Sequence, residues 1–229
     1  MALRGEVNVA SYAPSGLPDA SDDLVARVTR LYQGDAQLHA AWEQAVNIRA
    51  LAGDGPAGRG NNPAATGALA GRLLSGPTGS RIAMIETIGW DTHARQRGRL
   101  GTQMRGLDAM VGALRQELGA QWDRTLVLVA TEFGRTVRVN GTGGTDHGTG
   151  SLAMLLGGAA AGGRVIADWP GLSGPALLEG RDLRPTTSLD ALIASSLSEH
   201  FGLDQPRVMA ALFPDSERAP VLHGLVRSA

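Results

Sequence analysis

Two short apolar runs with one amphipathic stretch between them constrain this chain more than any other feature. Residues 81–88 and 124–131 are apolar through Ile82 to Ile88 and Thr125 to Ala130. Runs of this length, rich in β-branched residues, read as buried strands. Between them, residues 97–119 place Leu100, Met104, Leu107, Met110, Val111, Leu114 and Leu118 on one helical face. Strand, helix and strand within about fifty residues make a βαβ unit. That unit predicts parallel neighbouring strands and a right-handed crossover. Leu152–Leu156 reads as a further buried strand, and Arg164–Ala167 as a short edge strand.

The flanks are helical. Ser21, followed by Asp22 and Asp23, is a hydroxyl cap with acids at the positive end of the helix dipole. Leu24, Val25, Val28 and Leu31 form the apolar face of that helix, and Gly34 ends it. Asp35 caps a second helix, 36–52, with Leu38, Ala41, Trp42, Ala45 and Ile48 on one side. Residues 1–20 are irregular, and the Gly- and Pro-rich stretch 53–63 is a flexible connector. An alanine-rich helix covers about 64–75, and Thr187 caps a last helix that runs to Phe201. The expected organisation is an N-terminal helical segment, 1–75, on an α/β core, 76–229, as one domain overall.

Composition excludes several functions. The chain has no cysteine, so thiolate metal sites, cysteine nucleophiles and disulfides are excluded. With 21 basic and 22 acidic residues and no basic block, nothing points to nucleic acid. Aromatics are 4%, too few for base-stacking platforms. No apolar run approaches the ~18 residues of a membrane-spanning helix. The first residues lack the apolar core of a signal peptide.

The chemistry gathers where the apolar runs end, the place where open α/β sheets bind ligands. Asp91 and His93 follow the first run, and Glu132 follows the second. Asp146 and His147 are adjacent in a loop with Gly141, Gly143, Gly144, Gly148 and Gly150. Carboxylates and imidazoles together suit a divalent cation, zinc first, with manganese, magnesium or calcium as alternatives. Arg135 offers a planar fork to phosphate or sulfate oxygens, or pairs with Glu132. His39, His200 and His223 receive no role, and Trp90 and Trp169 read as packing residues. No Gly-x-Ser-x-Gly nucleophile elbow occurs, and nothing marks Ser151 as activated.

These motifs together resemble a known bacterial family. They are Gly89-Trp90-Asp91-Thr92-His93, Thr131-Glu132-Phe133-Gly134-Arg135-Thr136, Gly143-Gly144-Thr145-Asp146-His147-Gly148 and Asp168-Trp169-Pro170-Gly171-Leu172. Arg181-Asp182-Leu183-Arg184-Pro185 before a helix adds to the likeness. In this order they resemble the domain of unknown function 1501, whose members are placed in the alkaline phosphatase and sulfatase superfamily. The resemblance implies a three-layer α/β/α sandwich with a mostly parallel sheet, a divalent-metal site at its strand ends, and hydrolysis of phosphate or sulfate esters, with a small molecule or glycan as substrate. It also implies a periplasmic or secreted location.

Asp91 and His93 resemble the acid and imidazole that hold one metal. Two matches compete for the rest. Asp146-His147 matches the superfamily's adjacent Asp-His pair, or Glu132-Phe133 takes that place and His147 matches a later metal histidine. The second is preferred because Glu132, like that pair, ends an apolar run; Phe133 would then replace a ligand. The superfamily's first strand, with its nucleophile, has no counterpart here. The chain thus reads as the C-terminal portion of a longer protein, incomplete at the N-terminus. Two further readings follow: a non-catalytic binding or assembly module of the cell envelope, and a chain completed by another copy or by a separate N-terminal half.

Overall fold

In the computed structural model, residues 20–52, 62–75, 80–216 and 219–227 are described. The expectations for residues 1–19, for the connector at 53–61 and for the Ile48 side chain lie outside them. The described residues form two compact units. One draws on Met1–Ile85 and Arg105–Leu118, the other on Glu86–Met104 and Gly119–Ala229.

The first unit is helical. α1 (Asp22–Tyr32) starts at Ser21, whose hydroxyl accepts the amide of Leu24. α2 (Ala36–Ala52) starts at Asp35, whose carboxylate accepts the amides of Gln37 and Leu38. Trp42 ties the two together: its indole donates to Thr29 Oγ1 at 2.7 Å and meets Tyr32 edge-on. α3 (Pro63–Leu74) presents Gly67, Ala70 and Gly71 to the later turns of α4 (Gln96–Leu118). A Cβ at Gly67 would lie 2.0 Å from the Met110 carbonyl oxygen, so only glycine allows this approach. Met110, Leu114 and Leu118 of α4 are buried, as their spacing predicts.

The second unit holds the β structure, and here the expected fold is overturned. β1 (Val127–Val129) pairs antiparallel with β4 (Met154–Leu156), with Leu128 opposite Leu155. β2 (Gly134–Arg135) pairs antiparallel with β3 (His147–Gly148). The described residues contain six α-helices and only these short two-stranded antiparallel sheets. They do not form a mostly parallel three-layer α/β/α sandwich.

The physical reason is pairing. Residues 81–88 and 164–167 form no strand, so α4 does not cross between parallel neighbours. An apolar run becomes a strand only when a neighbour takes its amides and carbonyls. Val165 is 91% exposed, and Trp169, expected to be packed, is 61% exposed.

α5 (Leu189–Phe201) is capped by Ser188 rather than Thr187 and buries Ala191, Ala194 and Ser195. It is followed by α6 (Gln205–Leu212), capped by Asp204. The Glu199 carboxylate accepts the amides of Gly224, Leu225 and Val226 at 2.6, 2.7 and 2.9 Å. Leu225 is thereby seated in the core at 2% exposure.

Ile82, Met84 and Ile88 are 67%, 75% and 70% exposed. Large apolar side chains left exposed in this way are an association liability. The Met84→Lys/Ile88→Lys variant is expected to lower light scattering in concentrated solution without changing helical circular dichroism. Equal scattering from both proteins would place the liability elsewhere.

Candidate metal centre

The site is built by two turns of the second unit. One runs from Trp90 to Gln96, where α4 begins; the other is Asn140 to His147. They are knitted by backbone: Arg95 and Gln96 donate their amides to Thr142 and Gly143 carbonyls at 3.1 and 2.9 Å. Gly144 has no room for a side chain, since a Cβ would lie 2.2 Å from the His93 carbonyl carbon. Thr145 is buried and donates to Gln96 Oε1 at 2.7 Å. β3 then carries His147 beside Arg135 of β2. Segment 181–183 closes the far side: Thr136 and Asp182 form a bridge, and Thr149 Oγ1 donates to the buried Asp182 carboxylate at 3.0 Å.

Asp91, His93 and His147 converge. One ligand atom from each lies within 4.8 Å of the others. Asp91 Oδ1 is 2.9 Å from His93 Nε2 and 2.8 Å from His147 Nε2. His93 Nδ1 is 3.3 Å from Asp146 Oδ1. An ionised carboxylate only accepts, so Asp146 favours the proton of His93 on Nδ1. Nε2 and Asp91 Oδ1 then face each other with only a proton or a cation able to bridge them. Two imidazoles and a carboxylate are a zinc-type donor set. A carboxylate on the far ring nitrogen is the partner that orients metal-binding histidines. The residues present therefore fit a divalent ion.

The structure does not bring every candidate into that group. Asp146 sits behind His93, and Glu132 is exposed and outside the group. Phe133 comes to the site instead, stacked on His147 with ring centroids 4.6 Å apart and planes at 12°. Arg135 does not pair with Glu132. Its Nη2 donates to the Trp90 carbonyl at 2.6 Å and to Asp91 Oδ1 at 3.2 Å, its Nη1 donates to the Thr145 carbonyl at 2.9 Å, and its guanidinium lies over Phe133. Arg135 thus fastens one turn to the other.

Sequence reasoning missed Asn140 and Asp182. The dipeptide Asn140-Gly141 was a turn signal for the first. The second lay unassigned within the motif around Arg181.

A family model described as "Protein of unknown function (DUF1501)" matches residues 9–213 of the 229. The chain belongs to the DUF1501 family. No curated protein and no solved structure matches it. In this DUF1501 chain the site has a distinct acid–base character. The Asp91 carboxyl is held below its ordinary value of 3.8, foremost by the hydrogen bond from His147, against desolvation and with help from the charges of His93 and Arg135. The Asp146 carboxyl is held below 3.8 by hydrogen bonds from Asn140 first and His93 second.

Both carboxyls have a folded pKa below the unfolded one. Their stabilisation is complete above the unfolded value, ~3.9, and is lost as pH falls through the lower folded values. The melting-temperature difference between wild type and Asp146→Asn should therefore be full at about pH 5 and shrink below about pH 4. A difference that persists undiminished at still lower pH would contradict this. Separately, Gly144→Ala is expected to destabilise by about 1–3 kcal/mol through overpacking against His93. Unchanged denaturant midpoints would show that the two turns can separate at little cost.

Proposed function

We propose that this site binds one divalent ion of zinc type through Asp91, His93 and His147, and that it serves hydrolysis of phosphate or sulfate esters. The observation that carries the reading is the meeting of those three ligand atoms within 4.8 Å. An ion held there supplies Lewis-acid polarisation of a phosphoryl or sulfuryl oxygen. Asp146 keeps the Nδ1 proton of His93 and leaves Nε2 free to act as a ligand. Arg135 holds Asp91 in place through the Trp90 corner and puts positive charge beside the site, where it favours a bound anion.

Two observations favour a second reading, a non-catalytic binding module. Phe133 covers a face of His147, and three hydrogen bonds of the Arg135 guanidinium are spent on the protein itself. Zinc titration by calorimetry, joined to a turnover screen with aryl phosphates and aryl sulfates, separates the two. Asp91→Ala and His147→Ala are expected to weaken zinc by more than the ~10–100-fold typical of a supporting residue, and to abolish turnover. Zinc binding without turnover supports the module. Wild-type zinc affinity in both variants defeats the site.

A further inference from the structure

Asn140 has no part in the candidate ligand set, yet its carboxamide joins the two turns. Nδ2 donates to the His93 carbonyl and to Asp146 Oδ1, each at 3.0 Å. Oδ1 accepts the Thr142 amide at 3.1 Å, the Thr142 hydroxyl at 2.8 Å and the Gly144 amide at 3.0 Å. These partners settle which way the carboxamide faces. Two backbone N–H groups can only donate, so the oxygen must meet them. The His93 carbonyl and the Asp146 carboxylate can only accept, so the nitrogen must meet those. A flipped amide would lose both sets at once.

We infer that Asn140 is the positioning residue of this centre: its carboxamide holds the Asp146 carboxylate against His93 Nδ1 and thereby sets the rotation of the His93 ring. The chain of contacts is short. Asn140 Nδ2 and His93 Nδ1 meet the same atom, Asp146 Oδ1, at 3.0 and 3.3 Å. The other ring nitrogen of His93 then lies 2.9 Å from Asp91 Oδ1. Asn140 also grips His93 from behind through its carbonyl, which Thr142 Oγ1 contacts as well at 2.6 Å. Backbone and ring of one candidate ligand are thus fixed from a single side chain. The consequence for metal affinity rests on the metal reading above; the orientation of His93 does not.

Asparagine is required here by chemistry rather than by size. Aspartate at this position is nearly isosteric and keeps an acceptor for Thr142 and Gly144. It replaces the donor by a second oxygen, facing a carbonyl and a carboxylate at about hydrogen-bond distance, where like charge repels. Asn140→Asp therefore removes the donating function alone. Thr142→Val is its counterpart, since it removes the hydroxyl that helps anchor the turn and leaves Asn140 on Asp146.

The test reads the ring nitrogens of His93 by nitrogen-15 NMR in the metal-free full chain at neutral pH, together with zinc affinity by calorimetry. Asn140→Asp is expected to shift the His93 Nδ1 signal and to weaken zinc by about 10–100-fold. Thr142→Val should leave the Nδ1 signal at its wild-type position. Asp146→Asn keeps the Nδ1–H pattern as well, because Asn140 still turns an oxygen of residue 146 toward the ring. That variant decides the matter if Asn140→Asp does not fold. An unshifted His93 signal in Asn140→Asp, an equal shift in Thr142→Val, or a changed tautomer in Asp146→Asn overturns the inference. A wild-type chain that ignores zinc, with His93 still responding to Asn140→Asp, upholds the positioning role and removes the metal reading instead.

Discussion

The candidate centre depends on a close approach of backbone to backbone at Gly144. The turn from Asn140 to Thr145 lies so near the His93 peptide that a single methyl group would overlap it. This proximity lets the amides of Arg95 and Gln96 find carbonyls in the opposite turn. It also brings residues far apart in the chain, Asp91 and His147, to 2.8 Å. Without it the acids and imidazoles would belong to two unrelated loops. Glycine serves here through the absence of a side chain, not through left-handed backbone; Gly143, next to it, does adopt positive φ.

Around that approach the polar groups form a graded arrangement. Asp91 meets both imidazoles and Arg135, the Asp146 carboxylate meets His93 and Asn140, and Asn140 in turn is held by the backbone of His93, Thr142 and Gly144. Each layer limits the rotation of the one inside it. Half-exposed groups would otherwise sample several rotamers, and a cation site with mobile ligands loses affinity to ordering entropy. Asp182, buried beside Thr149 and bridged to Thr136, gives the outermost support.

Local signals in the chain were legible, and distant ones were not. Ser21 and Asp35 cap helices because their side chains reach amides two or three residues on, and sequence shows that directly. The apolar stripe of α4 was plain in its later turns, where Met110, Leu114 and Leu118 are buried, whereas Leu100 and Met104 at its start are exposed. Strands were found within 124–131 and 152–156 but not at 81–88 or 164–167, because an apolar run does not say what lies alongside it. β1 found β4 in antiparallel register, a choice made by the whole fold. At the site, Asp91 and His93 could be picked out as chemistry at the end of an apolar run, and His147 as an imidazole in a glycine-rich loop. The division of labour could not: Glu132 and Asp146 carry the same carboxylate and both are exposed, and only the bonds to His93 and Asn140 set the second apart. Asn140, with no charge and no metal chemistry, gave only a turn signal.

The Glu199 carboxylate, which takes three successive amides near the chain's end, has its own implication. A charge satisfied by main-chain donors is bound to the presence of that main chain, whatever side chains it carries. Trimming the polypeptide before Gly224 would strip the acid of those partners and uncover the seat of Leu225. Residues 224–226 therefore act as a structural pin for α5, and proteolytic nicking there would loosen that helix.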